Sequence, residues 1–568
     1  MATATTARLP AVSAPGQDAG GREDWHRAVM AVLPGLLAAI FLAALDQTVM
    51  SASIKTIADD LGGLSLQAWV TTAFLITSTV TTPLYGKLSD VYGRRPMFAV
   101  AISIFVAGSL ACTFAQTMYQ LAAFRGLQGL GAGGLLAVSS AITADLVPPL
   151  QRSRFQGYTM TAWLAASLVG PLAGGLFAAN DAILGMAGWR WIFLVNVPVG
   201  ALAMVIVLRV LRTDAVRRAH RVDYWGATMI TAAAVPLLLV AEQGHERGWT
   251  SPAALLCYAV GGLGIVAFLW FERRMGDDAL IPLRLFGSPT FSLAVLISAL
   301  VGAGMFGVIS TVPLYLQVVQ GFSPTRAGLM LLPMMGGTLI TMIFSGKVVK
   351  RGGALRALPA GGAAVTALAL LACYRLTVDT PVWVLVVIMI AFGFGIGTSR
   401  SLNVTAQNAV PKWDLGVATS SVMFFRETAG AVGVAAYLSV LFAALPGALS
   451  ASVARAAARP DVASALADPA VRDDPHNAPF LTVLRGGREA LADSSFLPLM
   501  DERLARAFQI GFDDAVGRVF AVGAGLMCLA AVLALCMRPP QLREPDPDPE
   551  PVTEYFGRHR APVPAGTT

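Results

Sequence analysis

The chain has 568 residues, of which 55% are hydrophobic and only 13% charged, and its mean hydropathy is +0.65. A soluble domain with a solvated surface cannot be built from that composition, so the expectation is an all-α polytopic membrane protein. The net charge of +7 lies in short loops between apolar runs, with no basic module interleaved with aromatics. Topology therefore explains it, and nucleic acid is not expected as a partner. Five cysteines and five histidines are dispersed singly, which argues against a metal site or a disulfide framework.

Apolar runs of roughly twenty residues predict fourteen transmembrane helices. The first six cover 28–53, 66–86, 96–115, 118–146, 155–178 and 190–211. Two more cover 222–242 and 252–272, and the last six cover 290–318, 326–346, 355–376, 381–409, 416–445 and 515–537. Residues 1–27 are polar, and the run that follows is too long for a signal-peptide core, so it is expected to stay as a transmembrane helix. The loop 446–514 is long and mixed in charge. Its later part spaces Leu499, Leu504, Phe508 and Phe512 like a surface helix, either lying on the membrane interface or packing on the bundle. The Pro-, Asp- and Glu-rich tail 538–568 is expected to be disordered.

Positive charge fixes the orientation. The even-numbered loops carry nineteen Lys and Arg and the odd-numbered loops five, which puts the even loops and both termini in the cytoplasm. The domain plan is then a cytoplasmic segment 1–27, a six-helix half 28–211, an inserted pair 222–272, a second six-helix half 290–537 containing the loop 446–514, and the tail. Gly346-Lys347-Val348-Val349-Lys350-Arg351-Gly352-Gly353 echoes an earlier hairpin in degraded form, as expected of related transporter halves.

That hairpin is Gly86-Lys87-Leu88-Ser89-Asp90-Val91-Tyr92-Gly93-Arg94-Arg95-Pro96. Two glycines allow a short turn, Pro96 suits the first turn of the next helix, and Lys87, Arg94 and Arg95 mark a cytoplasmic loop. G-K-L-S-D-x-Y-G-R-R resembles the signature loop between the second and third helices of the major facilitator superfamily. The resemblance implies that fold, with two six-helix halves plus two inserted helices, and a cytoplasmic gate at Gly86, Asp90, Gly93, Arg94 and Arg95. Asp90 is expected to face helix N-terminal dipoles when the inner side is closed.

Asp46 stands in the first span within Ala44-Leu45-Asp46-Gln47-Thr48-Val49. An acid at the bilayer centre costs about 2.5 to 3.5 kcal/mol on insertion scales, so it needs a partner or a water-filled cavity. Burial also disfavours a carboxylate's charged form, which suits it to taking up and releasing a proton. The alternative is an acid near the outer end paired to a neighbour. L-D-x-T-V resembles the fourteen-span drug:proton antiporters, where this acid is a proton site, although Ser53-Ile54-Lys55 departs from their continuation. Trp69-Val70-Thr71-Thr72-Ala73-Phe74-Leu75 resembles the same branch.

Arg125 in the fourth span needs an acid, a carbonyl or water at that depth, and the resemblance implies a part in proton transfer. Gly129, Gly131 and Gly134 also fit GxGxxG, but no strand precedes them, so close helix packing explains them better than a dinucleotide. Gly170, Pro171, Gly174 and Gly175 resemble the family's antiporter motif, with Ala166 where a glycine is usual. Export is implied. The run from Trp189 to Gly200 and Pro313-Leu314-Tyr315-Leu316-Gln317 match the same branch. Gln47, Gln128, Arg400, Arg426 and Glu427 are candidates for a substrate cavity, Arg400 and Glu427 being departures that could pair across adjacent helices.

The expected function is a proton-coupled multidrug efflux antiporter of a bacterial cell membrane, exporting amphipathic compounds by alternating access. Small molecules, protons and the lipid bilayer are its partners, and it acts as a monomer. No cofactor is expected: there is no GxxxxGK[ST] loop for ATP, and the proton gradient supplies the energy. Export of a lipid or of a self-made metabolite stays open at this stage. A membrane-embedded sensor or enzyme is the remote alternative, since HExxH and GxSxG are absent.

Overall fold

The computed structural model describes residues 19–61, 67–147, 149–178, 180, 182–210, 223–276, 279–322, 324–349, 357–411, 414–485 and 499–537. Helices dominate. They begin with α1 (Ala19–Asp60), α2 (Gln67–Tyr92), α3 (Arg94–Thr113), α4 (Met118–Leu146), α5 (Pro149–Ala178), α6 (Arg190–Leu194) and α7 (Asn196–Val210). Next come α8 (Tyr224–Arg247), α9 (Pro252–Met275), α10 (Pro289–Val318), α11 (Pro324–Leu329), α12 (Leu332–Val349), α13 (Ala357–Tyr374), α14 (Val382–Thr398) and α15 (Arg400–Asn408). The series closes with α16 (Leu415–Ala457), α17 (Pro460–Ala467), α18 (Pro469–Arg472), α19 (Ala478–Leu484) and α20 (Glu502–Cys536). A two-residue antiparallel hairpin, β1 (Ala182–Ile183) with β2 (Met186–Ala187), sits in the loop before α6, a small exception to the all-α expectation.

Local chemistry starts several of these helices. Thr117 accepts the Gln120 N–H at α4, while Ser251 before Pro252 and Ser288 before Pro289 cap α9 and α10. A hydroxyl that accepts an otherwise orphaned N–H, followed by proline at the first position, is a strong helix start. Among the described residues, ten helical stretches are long and apolar enough to cross a membrane. The other four expected spans fall on α2, α5, α8 and α12. Three expected spans are each broken into two helices, α6–α7 at Val195, α11–α12 at Met330 and Leu331, and α14–α15 at Ser399.

Several boundaries differ from expectation, α1 running from Ala19 to Asp60 where 28–53 is expected and α5 starting at Pro149 where 155 is expected. The hairpin is not a ten-residue turn: α2 continues through Gly86 to Tyr92, and Gly93 alone, at φ 95°, links it to α3. A single left-handed residue suffices, and glycine adopts it without strain. At the far end of the chain, α16 runs past 445 to Ala457, and α20 starts at Glu502 rather than 515. Leu504 and Phe508 are buried, whereas Leu499 is exposed, so the predicted surface helix is the first part of α20 packing on the bundle. α17–α19 fold in the same loop, and Ser452 ties α16 to α20 by donating to the Ala507 carbonyl at 2.7 Å. The tail 538–568 lies outside the described residues, as do residues 1–18 and the second part of the Gly346–Gly353 echo, from Lys350 on.

The packing repeats. In the first part of the chain α1 packs on α5 and α7, α4 on α2 and α3, and α3 on α7. In the second part α10 packs on α16 and α20, α14 on α12 and α13, and α13 on α20, which is the same pattern helix for helix. The two sets meet through α2 against α16 and α5 against α12. α8 and α9 pack on each other, and α8 also lies against both α2 and α16.

Candidate functional site

Asp46 projects from α1 into a closed polar pocket made by α3, α4 and α7. Arg125 and Gln128, one turn apart on α4, both reach it: Arg125 Nη1 donates to Asp46 Oδ2, and Gln128 Nε2 donates to Asp46 Oδ1 at 2.9 Å. Asn196 Nδ2, at the start of α7, also donates to Oδ1 at 2.9 Å and to Ser109 Oγ at 2.9 Å. Ser109 in turn donates to the Phe193 carbonyl at 2.9 Å. Arg125 Nη1 further donates to Gln128 Oε1 at 2.7 Å. Asp46, Arg125 and Asn196 are each 1% exposed, and Gln128 is fully buried.

Three donors, from Arg125, Gln128 and Asn196, thus converge on the Asp46 carboxylate. The Arg125 guanidinium also lies 4.2 Å from the centroid of the Phe74 ring of α2, a cation–π contact that ties the pocket to the hairpin helix. Arg125 Nε has no acceptor among the described residues. A desolvated pair of this kind is strongly coupled: removing one partner of a buried ion pair costs about 3 to 5 kcal/mol. Asn196 and Ser109 escaped the sequence reading as members of this pocket. Asn196 entered only as part of the Trp189–Gly200 run.

The antiporter-motif residues lie within α5, which is continuous from Pro149 to Ala178. Gly170 lies against Thr48, Thr48 Oγ1 donates to the Ala166 carbonyl at 3.1 Å, and Ser53 Oγ donates to the Gly174 carbonyl at 3.1 Å. Gly175 shares that helix, and so does Pro171, whose side chain lies outside the described residues. The motif therefore packs on α1, the helix that carries Asp46.

At the hairpin end, Asp90 crosses between the two helix sets. Its Oδ2 accepts the Val417 N–H of the first turn of α16 at 3.1 Å, and its Oδ1 is 2.5 Å from Arg94 Nη1. Arg94 also donates to Asp145 at the end of α4 at 2.7 Å and to Ser89 at 2.6 Å. Arg95 donates to the Leu208 carbonyl at 2.6 Å, which fixes α3 to α7. Gly86 faces Ser420 of α16 so closely that a Cβ would stand 2.1 Å from its Oγ. This close approach, rather than a turn, is what requires glycine there.

The cavity candidates separate. Gln128 belongs to the Asp46 pocket, and Gln47 is half-buried beside it. Glu427 pairs with Arg426, its neighbour on α16, at 3.7 Å. The expected Arg400–Glu427 pair is not formed, and Arg400 makes no salt bridge among the described residues. It stands at the first turn of α15, close enough to Arg426 for the two cations to act on each other. Glu427 is instead paired with the residue next to it on the same helix.

The model of the Major Facilitator Superfamily matches residues 36–434. The chain belongs to the major facilitator superfamily. It is 34% identical over 405 residues to the multidrug transporter protein MdtP of Bacillus subtilis, covering 71% of this chain and 73% of that one. It is 35% identical over 347 residues to a tetracycline resistance determinant of Streptomyces rimosus, covering 60% and 99%. The fold is shared with the proton:xylose symporter XylE at a TM-score of 0.54 and 15% identity, covering 90% of this chain and 96% of that one. As a major facilitator protein, the chain is a polytopic membrane transporter of small molecules rather than an enzyme.

Proposed function

We propose that the protein is a proton-coupled antiporter that exports amphipathic drugs by alternating access. The observation that carries this reading is the buried Asp46 carboxylate held by Arg125, Gln128 and Asn196. The names of the relatives MdtP and the tetracycline resistance determinant support a drug as the cargo. In this reading fourteen helices cross the membrane, with 28–211 and 290–537 as the two halves, 222–272 as an inserted pair, and both termini in the cytoplasm. It works as a monomer, without a cofactor, on the proton gradient.

The mechanism follows from the contacts. With the inner face latched by Asp90 against α16, a proton from outside neutralises Asp46 and removes the charge that holds Arg125. Arg125 then presses differently on Phe74, and Phe74 and Asp90 lie sixteen residues apart on the same helix, about 24 Å along its axis. The helix α2 thus joins the proton site to the latch. Opening inward exposes Asp46 to the cytoplasm, where it releases its proton and the Arg125 contact re-forms. The cargo crosses the other way, accepted from the cytoplasm on the half-buried side of Gln47, Arg400, Arg426 and Glu427. Gradient-driven transport by reconstituted wild type and Asp46→Asn tests the reading.

A further inference from the structure

Two arginines and one acid meet where α15 starts against α16. Arg426 pairs with Glu427 at 3.7 Å, yet its Nε is buried with no acceptor among the described residues. Arg400, half-buried at the first turn of α15, makes neither a hydrogen bond nor a salt bridge through its side chain among the described residues, and the charged neighbour that acts on it is another cation, Arg426. Arg426 stands eleven residues into α16, about 16 Å along its axis, so the group lies well inside the membrane.

The surrounding helices supply little to balance these cations. α15 packs against α5, α10, α13, α14 and α16, and along the sequence of these six helices Glu427 is the single acid, beside the bases Arg152, Arg154, Arg400, Arg426 and Arg455. In the other helix set Asp46 is held by Arg125, and Asp90 and Asp145 by Arg94. Arg400 and Arg426 against Glu427 alone leave one positive charge over, and an uncompensated cation at that depth is costly unless a ligand completes the site. The wall beside it is apolar. Phe306 of α10, half-buried, lies against Gly430, one turn along α16 from Arg426, and Gly302 one turn earlier on α10 leaves room for Arg426, whose carbonyl oxygen would stand 2.1 Å from a Cβ there.

We propose that Arg400 and Arg426 bind an oxyanion of the cargo, so that the cavity selects amphipathic compounds carrying a carboxylate or enolate beside an apolar body. The planar guanidinium fork matches such a group with two parallel hydrogen bonds, and Phe306 meets the apolar body. Glu427 remains for a positive group, so zwitterions and cations are admitted as well.

This assignment rests on the reading of the region as the cargo path, and its test uses no gradient and leaves Asp46 untouched. The probes are 1-pyrenebutyrate and its methyl ester, which share an apolar body and differ in charge, and their binding to the full chain in an uncharged detergent is measured by equilibrium dialysis at neutral pH. The parent should bind the carboxylate about tenfold more tightly than the ester, the scale of one hydrogen bond to a charged group. Arg400→Gln should weaken the carboxylate, spare the ester and bring the two within about twofold, the retained ester showing that the variant is folded. Arg400→Lys, which keeps the charge without the fork, should keep part of the preference, and Glu427→Gln should tighten the carboxylate alone. Should Arg400→Gln lose both probes, Arg400→Lys decides: a weakened carboxylate with the ester unchanged supports the site, and the parent's ratio overturns it. Dihexanoyl phosphatidylglycerol should displace the carboxylate no better than dihexanoyl phosphatidylcholine; displacement by the anionic lipid alone would give the site to a lipid headgroup and overturn the proposal. So would a parent that binds both probes alike or neither, or an Arg400→Gln variant with the parent's ratio. A carboxylate preference that stands while gradient-driven export fails would instead sink the antiport reading and leave the anion site in place.

Discussion

Asp90 caps α16 in place of that helix's own cap residue. Its carboxylate accepts the Val417 N–H at 3.1 Å across the junction of the two helix sets. Asp414, the residue at the cap position, makes no capping bond and instead pairs with Arg284 at 3.0 Å. The first turn of α16 is thus satisfied by a side chain that separation of the sets would withdraw, and the macrodipole adds to the cost of withdrawal.

Replacing Asp90 with Ala removes this cap and therefore weakens the latched state. A lost cap is worth about 1 kcal/mol, which corresponds to roughly a fivefold shift in the equilibrium. Labelling, from the hairpin side, of a cysteine that the latched state covers should rise by about that factor. Unaltered labelling would remove Asp90 from the latch.

Gly86 makes a steric prediction. Gly86→Ala puts a methyl where Ser420 Oγ now lies, 2.1 Å from the new Cβ position, so the latch cannot seat. Transport should fall steeply with normal insertion in the membrane, and Ser420→Gly added to Gly86→Ala should restore part of it. Transport by Gly86→Ala at the parent rate would show that the close contact is dispensable.

Asn196 tests the pocket beyond its charges. A hydrogen bond to a charged group contributes about 1.5 to 3 kcal/mol. Asn196→Ala should therefore slow initial efflux roughly tenfold or more, and Asn196→Gln should not fully rescue it, because the longer arm displaces the donor from Asp46. Efflux at the parent rate would place Asn196 outside the coupling network.

Glu427 addresses selectivity. Paired with Arg426 at 3.7 Å and partly exposed, it offsets one of the two cations, Arg400 and Arg426, described in that region. Glu427→Gln should lower transport of cationic relative to neutral compounds by up to about fivefold, the scale of a pair worth 1 kcal/mol. An unchanged ratio would assign the pair to structure.

Much of the site was legible in the residues because charge inside a membrane is costly and so conspicuous: Asp46 and Arg125 stood out singly, and the structure brings them into contact. Asn196 and Ser109 did not stand out, because a neutral polar residue in an apolar run is affordable and only the fold reveals its partner. The hairpin was legible as a motif and misread in shape. Gly86 suggested a turn by its type, but its neighbours continue the helix, and its smallness serves the contact with Ser420. The ends of α16 and α20 were hidden for another reason. Both helices outrun their apolar runs and go on with mixed composition, where hydropathy carries no signal and packing such as that of Phe480 on Phe508 decides the boundary.

The central claim is that Asp46 carries the coupled proton. It is tested most directly in vesicles holding a fluorescent amphipathic cation such as ethidium, with wild type and Asp46→Asn reconstituted in parallel and a proton gradient imposed. The prediction is that Asp46→Asn loses gradient-driven transport while keeping exchange of labelled for unlabelled cargo without a gradient. Gradient-driven transport by Asp46→Asn at the wild-type rate would contradict the account.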